Sequence, residues 1–211
     1  MGGRELKFRL VLVTSRGTSR LPLEDAIRLA VEGGVDCVQL REKSMSGLEF
    51  FRMAERLRKV TADAGCALVI NHHVDVAIAC GADGVHLGWR SMRASEARKL
   101  LGEEQVVGVS THSLKEVRTA ERGGADYISL GPIFHTPSKK GLVPAVGIEG
   151  LRRICAATWL SVIAIGGIEP EKVQQVLAAG AKGVAVIRFI LDRDDPGRAA
   201  SELRGALESA S

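Results

Sequence analysis

Apolar and polar positions along the chain follow two alternating rhythms. Short, mostly β-branched apolar runs are separated by longer stretches in which apolar residues return every three or four positions, the period of a helix with one buried face. One seven-residue pattern appears four times: Gly34-Val-Asp-Cys-Val-Gln-Leu40, Gly81-Ala-Asp-Gly-Val-His-Leu87, Gly124-Ala-Asp-Tyr-Ile-Ser-Leu130 and Gly180-Ala-Lys-Gly-Val-Ala-Val186. Each copy follows a helical stretch and opens an apolar run, so its glycine reads as a helix C-cap. Further apolar runs lie between the copies at Ala67 to Asn71, Val106 to Ser110 and Leu160 to Ile165, and Phe8 to Thr14 precedes the first. The periodicity predicts helices over 22–33, 46–64, 73–80, 93–101, 114–123, 147–156, 169–179 and 195–209.

Strict alternation of strand and helix implies parallel pairing with right-handed crossovers. Eight such units close into a (β/α)8 TIM barrel, here a compact single domain over residues 1–211 with its core at about 8–209. A flavodoxin-like open sheet would use only five or six strands.

In such a barrel the site sits at the C-terminal strand ends. If Val38 and Leu40 face the helices, then Gln39 and Arg41 face inward, and the same register turns His86, Ser129 and Ala185 inward on strands 4, 6 and 8. Strand 7 ends in Ile165-Gly166-Gly167-Ile168-Glu169-Pro170, where two glycines admit a ligand close to the backbone and a helix N-terminus follows. That is the expected phosphate position, and Arg188 after strand 8 adds a charge to it. A second anion site is predicted from Gln39, Arg41 and Lys43 after strand 2, joined by the donor-rich segment from Gly131 through His135, Thr136, Ser138 and Lys139. Together Arg41, Lys43 and Lys139 are suited to a diphosphate, while Gly166 and Gly167 hold a monophosphate. His112 and His135 are placed for acid–base work, since an imidazole titrates close to neutrality. His72 and His73 are adjacent on an extended segment and point opposite ways, which disfavours a shared metal.

Composition narrows the classes. Glycine contributes 24 of 211 residues, about 11% against a usual share near 7%. It has no three-residue period, so the chain is not collagen-like. Eight aromatic residues and a scattered net charge of +4 argue against a nucleic-acid binder. The four cysteines form no Cys-x-x-Cys pair, and a reducing compartment is expected. The longest uncharged stretch, Cys155 to Ile168, is too short to span a bilayer. The start of the chain shows no secretory pattern. The expectation is a cytoplasmic protein with no membrane or nucleic-acid partner; a homo-oligomer is left open.

These residues together resemble the thiamine-phosphate synthase/TenI family over about residues 10 to 205. The resemblance rests on Gln39-Leu-Arg-Glu-Lys43, Asn71, Gly108-Val-Ser-Thr-His-Ser113, Gly131-Pro-Ile-Phe-His-Thr-Pro-Ser-Lys139 and Gly166-Gly-Ile168. The family's synthases join a hydroxymethylpyrimidine diphosphate to a thiazole phosphate and release pyrophosphate. The resemblance implies that Gln39, Arg41, Lys43, Asn71, Ser110, Thr136, Ser138 and Lys139 surround the diphosphate, with Gly167 on the thiazole-phosphate side.

Two positions depart from the synthase pattern. The family carries aspartates after the strand 3 asparagine, one of them a magnesium ligand, and His72-His73 stands here. The family's His-Leu-Gly-Gln-x-Asp after strand 4 becomes His86-Leu-Gly-Trp-Arg-Ser91. Arg188 also replaces a usually small residue. Magnesium prefers hard oxygen ligands, so no metal or other cofactor is expected, magnesium belonging only to a synthase. The TenI branch lacks those aspartates too, and its chemistry is a metal-independent thiazole tautomerisation. The preferred expectation is therefore a TenI-like tautomerase acting on a small phosphorylated thiazole, with His112 or His135 moving the proton. Pro132 replaces that branch's histidine. The alternatives are a thiamine-phosphate synthase and a non-catalytic binder of thiazole or thiamine phosphates.

Overall fold

Eight short parallel strands close on themselves: β1 (Leu10–Val13), β2 (Cys37–Leu40), β3 (Ala67–Asn71), β4 (Gly84–Leu87), β5 (Val106–Thr111), β6 (Tyr127–Leu130), β7 (Ser161–Ile165) and β8 (Gly183–Val186), with β8 pairing back onto β1. The structure is a computed structural model and describes residues 5–136 and 144–210. Between strands run α1 (Leu23–Glu32), α2 (Gly47–Asp63), α3 (Val74–Ala79), α4 (Ala94–Leu101), α5 (Leu114–Arg122), α6 (Gly147–Ala157) and α7 (Pro170–Ala178). After β8 come a one-turn helix, α8 (Arg188–Leu191), and the closing helix α9 (Pro196–Ser209). The predicted (β/α)8 barrel is thus the observed architecture. The periodicity missed α8, whose apolar Ile187-Arg-Phe-Ile-Leu191 run has no side-chain cap to announce it.

The seven-residue pattern has a structural explanation. Its four glycines all adopt positive φ, from 63° at Gly81 to 103° at Gly34, directly after helix ends. A side chain there would meet the carbonyl crowding that makes left-handed backbone costly. The strands begin three residues later than the glycines, because the intervening residues form the turn. The aspartate of the first three copies reaches back to the preceding strand. Asp36 accepts from Leu10 N at 2.7 Å, Asp83 from Leu68 N at 2.7 Å and Asp126 from Val107 N at 2.7 Å. Each carboxylate also pairs with an arginine, Arg204, Arg58 and Arg98 respectively. The repeat therefore ties the N-terminal rim of the barrel, the face that carries stability rather than chemistry.

Strand residues divide between two apolar cores. Leu12, Val38, Leu40, Ile70, Leu87 and Leu130 face the helices in one continuous cluster. The other side fills the barrel, with Leu6, Phe8, Val11, Cys37, Val69, Tyr127 and Ile163 packed together inside. Tyr127 lies across Gly108 on the neighbouring strand, and Phe8 meets its ring edge-on at 5.4 Å. Above this plug the interior turns polar: Gln39, Asn71, His86 and Ser129 are buried. The inward register expected for Gln39, His86, Ser129 and Ala185 is the one observed.

Candidate active site

The polar layer is the floor of a cavity of about 660 Å³ at the C-terminal strand ends, a volume suited to small-molecule ligands. Gln39, Arg41, Lys43, Asn71, Ser110, His112, His135, Thr136, Gly166, Gly167 and Arg188 all line it, so the structure brings together every site residue it describes from the sequence expectation. Ser138 and Lys139 lie outside the described residues.

On the floor, Gln39 Nε2 donates to Asn71 Oδ1 at 3.1 Å. His86 sits between two hydroxyls, its Nδ1 3.1 Å from Tyr127 Oη and its Nε2 2.8 Å from Ser110 Oγ. Burial, with help from the charge of Arg41 and from His72, pushes the His86 pKa down to about 3. The ring is therefore neutral and holds one proton. The chain runs from Tyr127 through His86 to Ser110 or the reverse, and in the first direction the Ser110 hydroxyl is left to donate into the cavity. Tyr127 escaped the sequence reading, since only the fold shows a residue 41 positions away under His86.

The His86 shift sets a pH dependence. Below the unfolded value near 6.5 the unfolded chain takes up a proton that the native ring refuses, so this stability is present above pH 6.5 and is lost as pH falls toward about 3. Between pH 6.5 and 5 the loss from this one group is expected to be about 2 kcal/mol. Urea denaturation at both pH values should show it in the native protein and not in a His86→Gln variant.

At the β2 side, Arg41 and Lys43 project over the floor. Thr14 Oγ1 accepts from Arg41 N at 2.8 Å and fixes the chain there. Desolvation lowers the Arg41 pKa without discharging a guanidinium near neutrality. Across the mouth, Gly166 and Gly167 adopt φ of 104° and 67°. A Cβ on Gly166 would lie 2.7 Å from Pro132 Cα, and one on Gly167 2.8 Å from the His135 carbonyl oxygen. The strand 6 loop packs onto this turn through Ile133 N to Ile165 O at 2.9 Å and Phe134 N to Gly166 O at 3.0 Å. Glycine is thus required here by close approach as well as by φ. The turn feeds the N-terminus of α7, whose dipole favours an anion.

Lys172, one turn into α7, also escaped the sequence reading. It donates to the Gly167 carbonyl and to Glu169 at 2.9 Å each, and lies 5.1 Å from the centre of the Phe134 ring. Arg188 and Arg193 complete this side. The lining carboxylates, Glu169 and Asp192, are both engaged, Glu169 by Lys172 and Asp192 by Arg20 at 3.0 Å and Arg188 at 3.8 Å. The cavity therefore carries two cationic groups, Arg41 with Lys43 after β2 and Lys172 with Arg188 and Arg193 after β7 and β8, beside a neutral polar floor. His112, just after β5, donates its Nδ1–H to the Gly131 carbonyl, leaving only Nε2 for a ligand.

The positions that the resemblance marks for magnesium carboxylates meet each other after β3 and β4, next in sequence to the lining residue Asn71 but not themselves among the lining residues. His72 Nδ1 is hydrogen-bonded to Ser91 Oγ, while His73 turns away to Phe50 and Asp75. Arg41, Lys43 and His73, together with desolvation as the largest cause, lower the His72 pKa. A neutral imidazole and a hydroxyl do not fit an ion that wants several hard, largely anionic oxygens. Among the described residues no three His, Cys, Asp or Glu side chains converge on a metal position, and no helix is long and apolar enough to cross a membrane.

Comparison with known proteins gives a consistent picture. The family profile described as thiamine monophosphate synthase matches residues 10–190. A thiamine-phosphate synthase of Moorella thermoacetica is 41% identical over 201 residues, covering 95% of each chain. One of Shouchella clausii is 41% identical over 207 residues, covering 97% of this chain and 98% of its own. The solved thiamine phosphate pyrophosphorylase of Pyrococcus furiosus superposes with a TM-score of 0.89 at 34% identity over 97% of both chains. Fold, cavity and sequence agree that the chain belongs to the thiamine monophosphate synthase family.

Proposed function

We propose that this chain is a thiamine-phosphate synthase, condensing hydroxymethylpyrimidine diphosphate with a thiazole phosphate. The observation that carries this is the pair of cationic groups on one cavity. A condensation brings in two phosphorylated substrates and needs an anion site for each, whereas a tautomerase acts on one. The names of the relatives near 40% identity support the same choice. The tautomerase expected from positions 72 and 91 loses its preference, because those positions describe what one rim site can hold and not which bond is made.

In this reading Arg41 and Lys43, with Gln39, Asn71 and Thr136, hold the diphosphate, and Gly166, Gly167, Lys172 and Arg188 hold the thiazole phosphate. Ser138 and Lys139 belong to the diphosphate side on the resemblance alone. The bond between the pyrimidine's exocyclic carbon and the diphosphate oxygen breaks, and its electron pair leaves with pyrophosphate. The lone pair of the thiazole nitrogen then forms the new carbon–nitrogen bond. No proton leaves that nitrogen, so the step needs stabilisation of the leaving anion more than a proton shuttle. His112 and His135 accordingly contact substrate as hydrogen-bonding groups, and Ser110 donates from the floor.

Incubating the purified chain with both substrates should yield thiamine phosphate and pyrophosphate in equal amounts. Isomerisation of a thiazole carboxylate phosphate without any condensation would overturn the assignment in favour of the tautomerase. An Arg188→Ala variant should raise KM for the thiazole phosphate about tenfold while leaving KM for the diphosphate within about twofold, since Arg188 lies on the thiazole-phosphate side and pairs with Asp192 rather than with the strand 6 loop.

A further inference from the structure

We propose that the chain binds its substrate's diphosphate directly, with the His72–Ser91 pair donating a hydrogen bond where the family pattern places magnesium carboxylates. This rests on the synthase reading above. Ser91 Oγ accepts from Gly88 N at 2.8 Å and is bonded to His72 Nδ1. If the hydroxyl donates to the ring, neutral His72 carries its proton on Nε2, and that N–H is left over. If the ring donates to the hydroxyl, the serine O–H is left over. Either arrangement leaves one donor of the pair for a ligand and no anionic oxygen for a cation. A donor matches a phosphate oxygen, where a carboxylate would match a metal ion.

The pair is held firmly. His72 adopts φ 67°, uncommon for a residue with a side chain. Its N–H donates to the His86 carbonyl at 3.0 Å, and its ring rests on the bare face of Gly88, where a Cβ would lie 2.9 Å from Cε1. Strained backbone held by its surroundings is a mark of functional positions. The charge around the pair points the same way. The positive fields of Arg41 and Lys43 reach His72, and Arg90, beside Ser91, stacks over Trp89 at 4.6 Å. The cavity's lining carboxylates, Glu169 and Asp192, lie on the opposite side and are already paired. A cation placed at the pair would face positive charge; an anion would be attracted.

Calorimetry with inorganic pyrophosphate, in EDTA and in magnesium, tests the proposal. The expected result is binding in EDTA at least as tight as in magnesium. Binding about tenfold tighter with magnesium would overturn it. Restoring carboxylates in a His72→Asp/Ser91→Asp double variant should weaken binding in EDTA about tenfold and make it respond to magnesium. A double variant that binds in EDTA like the native protein would count against the pair's role. Ser91→Asp alone supplies the same comparison if the double variant does not fold. The synthase reaction run under both conditions separates the two readings. Pyrophosphate binding in EDTA with no thiamine phosphate under either condition overturns the synthase reading, and with it the diphosphate substrate, and leaves the pair only as a metal-independent pyrophosphate site. Binding and turnover that both require magnesium overturn this one and leave the synthase.

Discussion

Replacing Gly108 with alanine should destabilise the barrel by about 3 kcal/mol, more than a single added methyl normally costs. The new Cβ would lie 2.1 Å from Tyr127 Cζ and 2.3 Å from Cε1. The tyrosine has nowhere to go: it is buried, Phe8 stands edge-on against it, and its hydroxyl is bonded to His86. Either the ring tilts off its rotamer or β5 shifts against β6, and both disturb the floor of the cavity. Urea denaturation measures the loss. Its cause is separable from a general intolerance of β5, because in a Tyr127→Leu background the same alanine should cost at least 1 kcal/mol less. Equal cost in both backgrounds would mean that the ring is not the obstacle.

That contact shows where sequence reading stops. Gly108 stood inside a recognised motif and Tyr127 inside the repeat, but their meeting depends on neighbouring strands in register, Gly108 opposite Tyr127. Features that repeat along the chain were legible: the glycines of the seven-residue pattern, the helix periods and hence the strand count. Once the strands were counted, inward positions such as Gln39, His86 and Ser129 followed from alternation alone. Features created by closure were not legible. The bonds from Asp36, Asp83 and Asp126 back to the preceding strand, the His86 chain and the Lys172 contact with Gly167 join residues with no mutual sequence signal. The two rim positions favoured the tautomerase for a different reason. Residue types at 72 and 91 report the chemistry of one corner, whereas the proposed condensation draws on the whole cavity, which only the assembled barrel displays.

Arg41→Ala should lower kcat for the proposed condensation by about 10²- to 10³-fold, the scale seen when a preorganised donor to a developing anion is removed. The argument is electrostatic. When the carbon–oxygen bond breaks, charge builds on the departing pyrophosphate, and a half-buried guanidinium at the β2 strand end is worth more there than in water. Its backbone is fixed by Thr14, so little reorganisation accompanies the step. Arg41→Lys keeps the charge but not the two-pronged donor, and should recover no more than about tenfold of the loss. The thiazole-phosphate end, built on the β7 turn and α7, should keep its KM within about twofold. Stability separates this role from a structural one. Arg41 carries a desolvated charge whose side chain lines an open cavity, so alanine should leave the melting temperature unchanged or raised. A fall in melting temperature alongside a fall of less than tenfold in kcat would instead make Arg41 a prop for the strand end, and Lys43 the cation on which the leaving group depends.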